Sequence, residues 1–174
     1  MPPFVLGAIL VDNMKKGQST KKEVVVVLDS IRSVFNVGSM FRTSDAVGVS
    51  KLYLCGTTPS PLDRFNRSRP DLAKVALGAE KNVPWEYVDN TIKIIKKLKK
   101  AGYFVVAIEQ AKESVDYRKI SKKFPLAVVM GNEVDGVDKK VLKLVDEVAE
   151  IPMRGDKESL NVGVAYGIAI YNIL

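Results

Sequence analysis

The chain has 174 residues, 47% of them hydrophobic and 27% charged, which fits one globular α/β domain. It carries 27 Lys and Arg against 20 Asp and Glu, and the net charge of +7 points to a polyanionic partner. With no histidine and one cysteine, Ser-His-Asp catalysis, Cys-His catalysis and an internal disulfide are ruled out, and a zinc-type metal site lacks its usual ligands.

Residues 1–22 open with the apolar run "MPPFVLGAILV", far too short to span a bilayer and without the basic leader of a signal peptide. They are expected to form a lead-in segment packed loosely on the surface, ahead of a single domain over 23–174. The lone cysteine fits a reducing, cytoplasmic setting.

The first strand is expected at "VVVVLD" (24–29). In the following "NVGSMFRTSDAVG", Val37, Met40, Phe41, Ser44 and Val47 recur with helical period. Asn36 is placed as the N-cap, and Gly38 as a point of close approach to the helix start. Arg42 lies off the buried stripe and faces outward. It either pairs with Asp45 or holds a phosphate or a developing oxyanion.

"KLYLCG" (51–56) reads as a second strand, with Cys55 as a small core residue. The longest irregular stretch follows, "TTPSPLDRFNRSRP" (57–70). Its Arg64, Arg67 and Arg69 around Phe65 make a candidate RNA contact in which Phe65 stacks on a base. The alternative is a mobile, solvated loop.

"WEYV" (85–88) is the third expected strand. It is followed by a helix in "DNTIKIIKKLKKAG", with Asp89 or Asn90 as cap, an inner stripe of Ile92, Ile95 and Leu98, and Gly102 as stop. The lysine run Lys96–Lys100 is read as a solvated outer face.

"FVVAIE" (104–109), "LAVVMG" (126–131) and "EVAEIP" (147–152) complete six strands, and "DKKVLKLV" (138–145) is a short helix capped by Asp138. Continuous apolar strands alternating with helices predict a mainly parallel six-stranded sheet covered on both faces. Ligands then bind beyond the strands' carboxyl ends. There, Gly131 is expected to expose bare backbone to a ligand, and Glu133 to accept a proton or pair with Arg42. Neither of the standard glycine-rich phosphate loops is present.

The chain closes on "EIPMRGDKESLNVGVAYGIAIYNIL" (150–174). Ser159 or Asn161 caps a helix starting near Val162. Ile151, Met153 and Leu160 offer apolar walls for a flat heteroaromatic ring. The helix has no hydrophilic side and must be buried, and a second subunit is an attractive way to bury it.

In order and spacing, "NVGSMFRTSDAVGV", "VMGNEVDGV" and "IPMRGDKESLNVGVAYGIAIY" resemble the motifs of the SPOUT-class RNA ribose methyltransferases of the SpoU/TrmH type. The resemblance covers about residues 24–174. It implies a parallel α/β fold with a C-terminal deep trefoil knot, a homodimer, S-adenosylmethionine (AdoMet) as methyl donor, and a ribose 2′-hydroxyl of structured tRNA or rRNA as acceptor. It places the catalytic set on Asn36, Arg42, Glu133, Ser159 and Asn161. The cofactor loops fall near Ile108, Glu109, Gly131, Ile151, Met153 and Leu160, with no metal required. It also implies that Arg42 activates the hydroxyl. A guanidinium stays protonated near neutrality, so Arg42 is expected to stabilise a forming alkoxide instead.

Two departures stand out. Gly163 occupies the position where many relatives carry a serine, and about 22 residues precede the first strand where relatives often carry a further RNA-binding domain. Target choice is therefore expected to rest on the catalytic domain and its dimer. Methylation of a base nitrogen, and an RNA-binding protein without catalysis, are the competing classes.

Overall fold

The structure is a computed structural model that describes residues 22–174. The expectations for 1–22 lie, Lys22 apart, outside the described residues.

One sheet of seven parallel strands organises the chain: β1 (Val24–Asp29), β2 (Lys51–Cys55), β3 (Trp85–Val88), β4 (Phe104–Ile108), β5 (Val115–Asp116), β6 (Leu126–Met130) and β7 (Glu147–Glu150), in the order β3-β2-β1-β6-β4-β7-β5. The expected sheet has six strands. The seventh, β5, is two residues long and pairs only with β7, too short to leave a periodic signal.

β1 is buried along its whole length, which is why it reads as unbroken valine and leucine. Alternate residues still go to opposite faces. Val24, Val26 and Leu28 join one apolar cluster, Val25 and Val27 the other. On the first face lie α1 (Val34–Val47), α2 (Pro70–Ala76), α3 (Ala79–Asn82) and α6 (Val162–Ile173). On the second lie α4 (Thr91–Lys100) and α5 (Lys139–Leu142). Cys55 is fully buried in the second cluster, and burial pushes its thiol up to about 12, consistent with a core role.

Several local expectations change. α2 and α3 lie between 57 and 84, where no helix is expected. They are seven and four residues long, separated by Leu77 and Gly78 at positive φ, and show no long amphipathic stripe. In α4 the buried residues are Thr91, Ile94, Ile95 and Leu98, and Ile92 is only partly buried. The cap of α4 is Asn90, whose side chain accepts from the Lys93 amide.

α1 begins two residues before the expected cap. Ser33 is the N-cap, accepting from the Asn36 amide, so Asn36 sits inside the first turn. Gly38 is needed for packing, since a Cβ there would lie 2.8 Å from the Val75 Cβ and 3.1 Å from the Leu72 carbonyl oxygen. It admits α2 rather than a ligand. α6 packs on α1, and their contact holds a buried hydrogen bond of 2.7 Å between Tyr166 and Ser44.

Candidate active site

Because every strand is parallel, all carboxyl ends lie along one edge. Three segments meet there: the β1–α1 loop, the β6–α5 loop and the β7–α6 loop. The link between them starts at Glu133. Its carboxylate accepts from the Arg32 amide (3.0 Å), the Ser33 amide (3.1 Å) and the Asn36 side-chain amide (2.8 Å). Asn36 Oδ1 in turn accepts from Asn161 Nδ2 at 3.2 Å. Asn161 Oδ1 caps α6 by accepting from the amides of Gly163 and Val164. Both asparagine orientations are fixed, since a carboxylate can only accept and a backbone N–H can only donate.

Burial alone would raise the Glu133 pKa, but the Arg32 amide, the Asn36 side chain and the Ser33 amide outweigh it and hold the carboxyl below the ordinary glutamate value. Such a group is charged and its oxygens are engaged. Within one chain it does not pair with Arg42, and it does not stand ready to take a proton, contrary to the sequence expectation. Glu133→Gln turns an amide N–H toward these donors. It should lower the thermal midpoint on the order of 3 °C at pH 7, the loss of a charge-assisted bond. The carboxylate's contribution is complete above the unfolded glutamate pKa of about 4.3 and is lost as pH falls through the lower folded value. The gap between wild type and variant should therefore close in acid. A gap that persists unchanged to low pH would contradict this assignment.

Beside the Glu133 network opens a cleft of about 220 Å³. Ile108, Glu109, Gly131, Ile151, Met153 and Leu160 all line it, as do Glu133 and Ser159. The apolar walls are Ile108, Ile151, Met153, Leu160 and Val162. The charged lining residues are Glu109 and Glu133, with no lysine or arginine among them. A neutral or cationic ligand with flat apolar faces suits such a lining, whereas a phosphate does not. Among the described residues, no group of three His, Cys, Asp or Glu is placed to hold a metal ion.

Gly131 lines the cleft and also serves its own loop. A Cβ there would lie within 2.1–2.4 Å of the Gly136 and Val137 backbone. The loop crosses its own start, closed by paired hydrogen bonds between Asn132 and Gly136 and by the Val137 amide donating to Glu109 at 2.8 Å. Gly131→Ala should cost about 1–3 kcal/mol by overpacking, and ligand binding in the cleft should fall with it. Unaltered thermal unfolding would refute that reading.

Arg42 does not line the cleft. It is exposed on α1 and forms no ion pair with Asp45 or any other acid among the described residues. Helix geometry puts it about 9 Å further along the axis than Asn36 and roughly 120° round it. It shares an outward stripe with Phe35, Ser39 and Ala46.

Sequence reasoning missed Arg32, whose guanidinium reaches Asp135 at 3.3 Å and whose amide grips Glu133. It also missed Gln110, whose side chain donates to the Glu158 carbonyl at 2.7 Å and ties the last loop to the end of β4. Arg32's position four residues before Asn36 and Gln110's next to Glu109 were the only available signal.

Arg64, Phe65, Arg67 and Arg69 lie in a separate hollow that shares no lining residue with the cleft. Asp63 shapes their loop by accepting from the amides of Phe65 and Arg67.

A family model described as the SpoU rRNA Methylase family matches residues 23–171. The chain is 33% identical over 158 residues to an Aquifex aeolicus tRNA (guanosine(18)-2′-O)-methyltransferase, covering 88% of this chain and 70% of that one. It is similar in fold to an AdoMet-bound rRNA methyltransferase from Sinorhizobium meliloti, with a TM-score of 0.79 and 34% identity, over 87% of this chain and 55% of that one. A structure described by its 2-OH methylation of C/U34 on tRNA matches with a TM-score of 0.74 and 26% identity, over 87% of this chain and 94% of the other. The chain thus spans little more than half the length of the Sinorhizobium protein.

Proposed function

The chain belongs to the SpoU rRNA methylase family, and on that premise we propose that it transfers a methyl group from AdoMet to a ribose 2′-hydroxyl of structured RNA, tRNA or rRNA. The observation that carries this reading is the chain of hydrogen bonds Glu133–Asn36–Asn161 at the lip of a cleft whose only charged lining groups are acidic.

When bound, AdoMet supplies a methyl group already activated by its cationic sulfonium. The chain's own task is to hold, orient and stabilise. Ile108, Ile151, Met153 and Leu160 would wall the cofactor. Glu109, Gly131 and the backbone around them would border it. Glu133 keeps Asn36 turned toward Asn161, and with Ser159 they seat the ribose. Arg42 stabilises the negative charge that grows on the 2′-oxygen. Glu133 is too acidic and too fully engaged to be the base, so the hydroxyl proton passes to a neighbouring phosphate oxygen of the RNA.

Since Arg42 does not line its own chain's cleft, it acts, on this reading, across a homodimer. α6 contains no charged residue, yet its outer stripe leaves Val164 at 52% and Tyr171 at 65% exposure, and Phe35 on α1 stands at 70%. Apolar exposure of this kind on two packed helices marks a protein interface. A two-fold pairing through α6 and the outer face of α1 covers these residues and carries one protomer's Arg42 toward its partner's cleft. The 151–161 loop, tied by Gln110 and running past the Gly131–Val137 turn, is read as the threaded part of a trefoil knot. No helix among the described residues is long and apolar enough to cross a membrane. A cytoplasmic location follows from the proposed RNA substrate alone.

Calorimetry with AdoMet tests the cofactor. Binding should saturate at one molecule per chain and disappear in Leu160→Asp. Absence of binding to the wild type, or full binding to the variant, would refute the placement.

A further inference from the structure

Tyr87 lies on the edge strand β3 and is 52% exposed, its hydroxyl donating to the Gly56 carbonyl at 2.8 Å. The bond holds the ring between two adjoining hollows. One, of about 560 Å³, is shared with Phe65 and Arg64, and the other, of about 360 Å³, with Lys93 and Lys97. Phe65 is 61% exposed, and the guanidinium groups of Arg64 and Arg67 lie 4.8 and 4.9 Å from its ring centre. The ring is not on a slack loop. Leu62 bridges to Ser68, and Asp63 ties down the turn between them.

The acids of this surface are already engaged: Asp63 with Arg67, Asp71 with Arg69, Glu86 with Lys51, and Asp89 with Lys93. Arg64 and Lys97 have no carboxylate partner among the described residues. Two exposed aromatic rings flanked by free cations, in a trough along a sheet edge, match the requirements of unpaired nucleic acid. Bases stack on the rings while phosphates meet the cations. A duplex keeps its base faces hidden and cannot use the rings.

We propose that an unpaired segment of the RNA substrate lies along this edge, with one base on Phe65, a neighbouring base on Tyr87, and their phosphates toward Arg64 and Lys97. The proposal rests on the reading of the chain as an RNA methyltransferase and extends it. The enzyme would select targets next to a loop or single-stranded stretch by a surface separate from its cleft.

The test is fluorescence anisotropy with an unstructured single-stranded RNA of about 15 nucleotides and a blunt duplex of the same length. Phe65→Ala/Tyr87→Ala should weaken single-strand binding roughly 10- to 100-fold while leaving duplex binding within about twofold. Phe65→Trp, which keeps both rings and the Tyr87–Gly56 bond, should stay close to wild type. Single-strand affinity unchanged in the alanine variant would overturn the proposal, as would equal loss for strand and duplex. Neither arm depends on methyl transfer. A protein that binds the strand through these rings but never methylates RNA would keep the track and lose the proposed activity. One that methylates RNA with unchanged KM in the alanine variant would do the reverse.

Discussion

Arg42→Ala should reduce methyl transfer by at least ~10³-fold while AdoMet affinity stays within about twofold of wild type. The two effects separate because Arg42 is absent from the cleft lining and lies about 9 Å along α1 from Asn36. It touches nothing that shapes the cofactor site, and its side chain is exposed, so its loss should leave the fold intact. In the proposed mechanism it contributes charge at the acceptor oxygen in the transition state. On the proposed reading it acts across the dimer. Mixing Arg42→Ala with Leu160→Asp, each inactive alone, should restore activity to about a quarter of wild type. Half the dimers are then mixed, and each mixed dimer has one complete site. Failure of the mixture to recover, with both variants dimeric, would place Arg42 in its own chain's site and overturn the trans arrangement. Equal loss of transfer and AdoMet binding in Arg42→Ala would remove its catalytic role.

The second large effect concerns the interface itself. Val164→Asp/Tyr171→Asp places two charges on the outer stripe of α6, where both residues are exposed in the single chain. Substitution there should not disturb the protomer's core, which α6 joins through Tyr166, Ala169, Ile170 and Ile173. The variant should run as a folded monomer in sedimentation, with transfer reduced ~100-fold or more because no partner supplies Arg42. A dimeric variant, or a monomer with wild-type activity, would show that this face serves another purpose.

The sequence revealed the sheet far better than it revealed the site's working parts. Short unbroken runs rich in β-branched residues, such as 24–29, read as strands buried on both sides, and they appear where expected. Short elements escaped, because seven residues at 70–76 and two at 115–116 carry too little period to be seen. Motif resemblance placed all six expected cofactor-loop residues on one cleft. It also brought together Asn36, Glu133 and Asn161, residues 97 to 125 positions apart along the pairs that bond.

What failed were roles assigned from local chemistry. Asn36 looks like a cap but is spent on Glu133 and Asn161, so Ser33 caps instead. Gly38 looks like an opening for a ligand, yet its missing side chain makes room for α2. Glu133 looks like a base or a partner for Arg42, yet three N–H donors hold it as a strut. Each role depends on a contact with a distant segment, which no window of sequence contains. The last helix, without a charged residue, was expected to be buried, and within one chain only four of its twelve residues are. That mismatch is the main support for a second subunit.

Incubation with methyl-labelled AdoMet and total RNA, followed by digestion and identification of the labelled nucleoside, tests the central claim most directly. The label should appear in a 2′-O-methylated nucleoside whose 3′ linkage resists alkaline hydrolysis, and it should be absent with Arg42→Ala. Label on a base nitrogen, or none in any RNA from a preparation that binds AdoMet, would contradict the account.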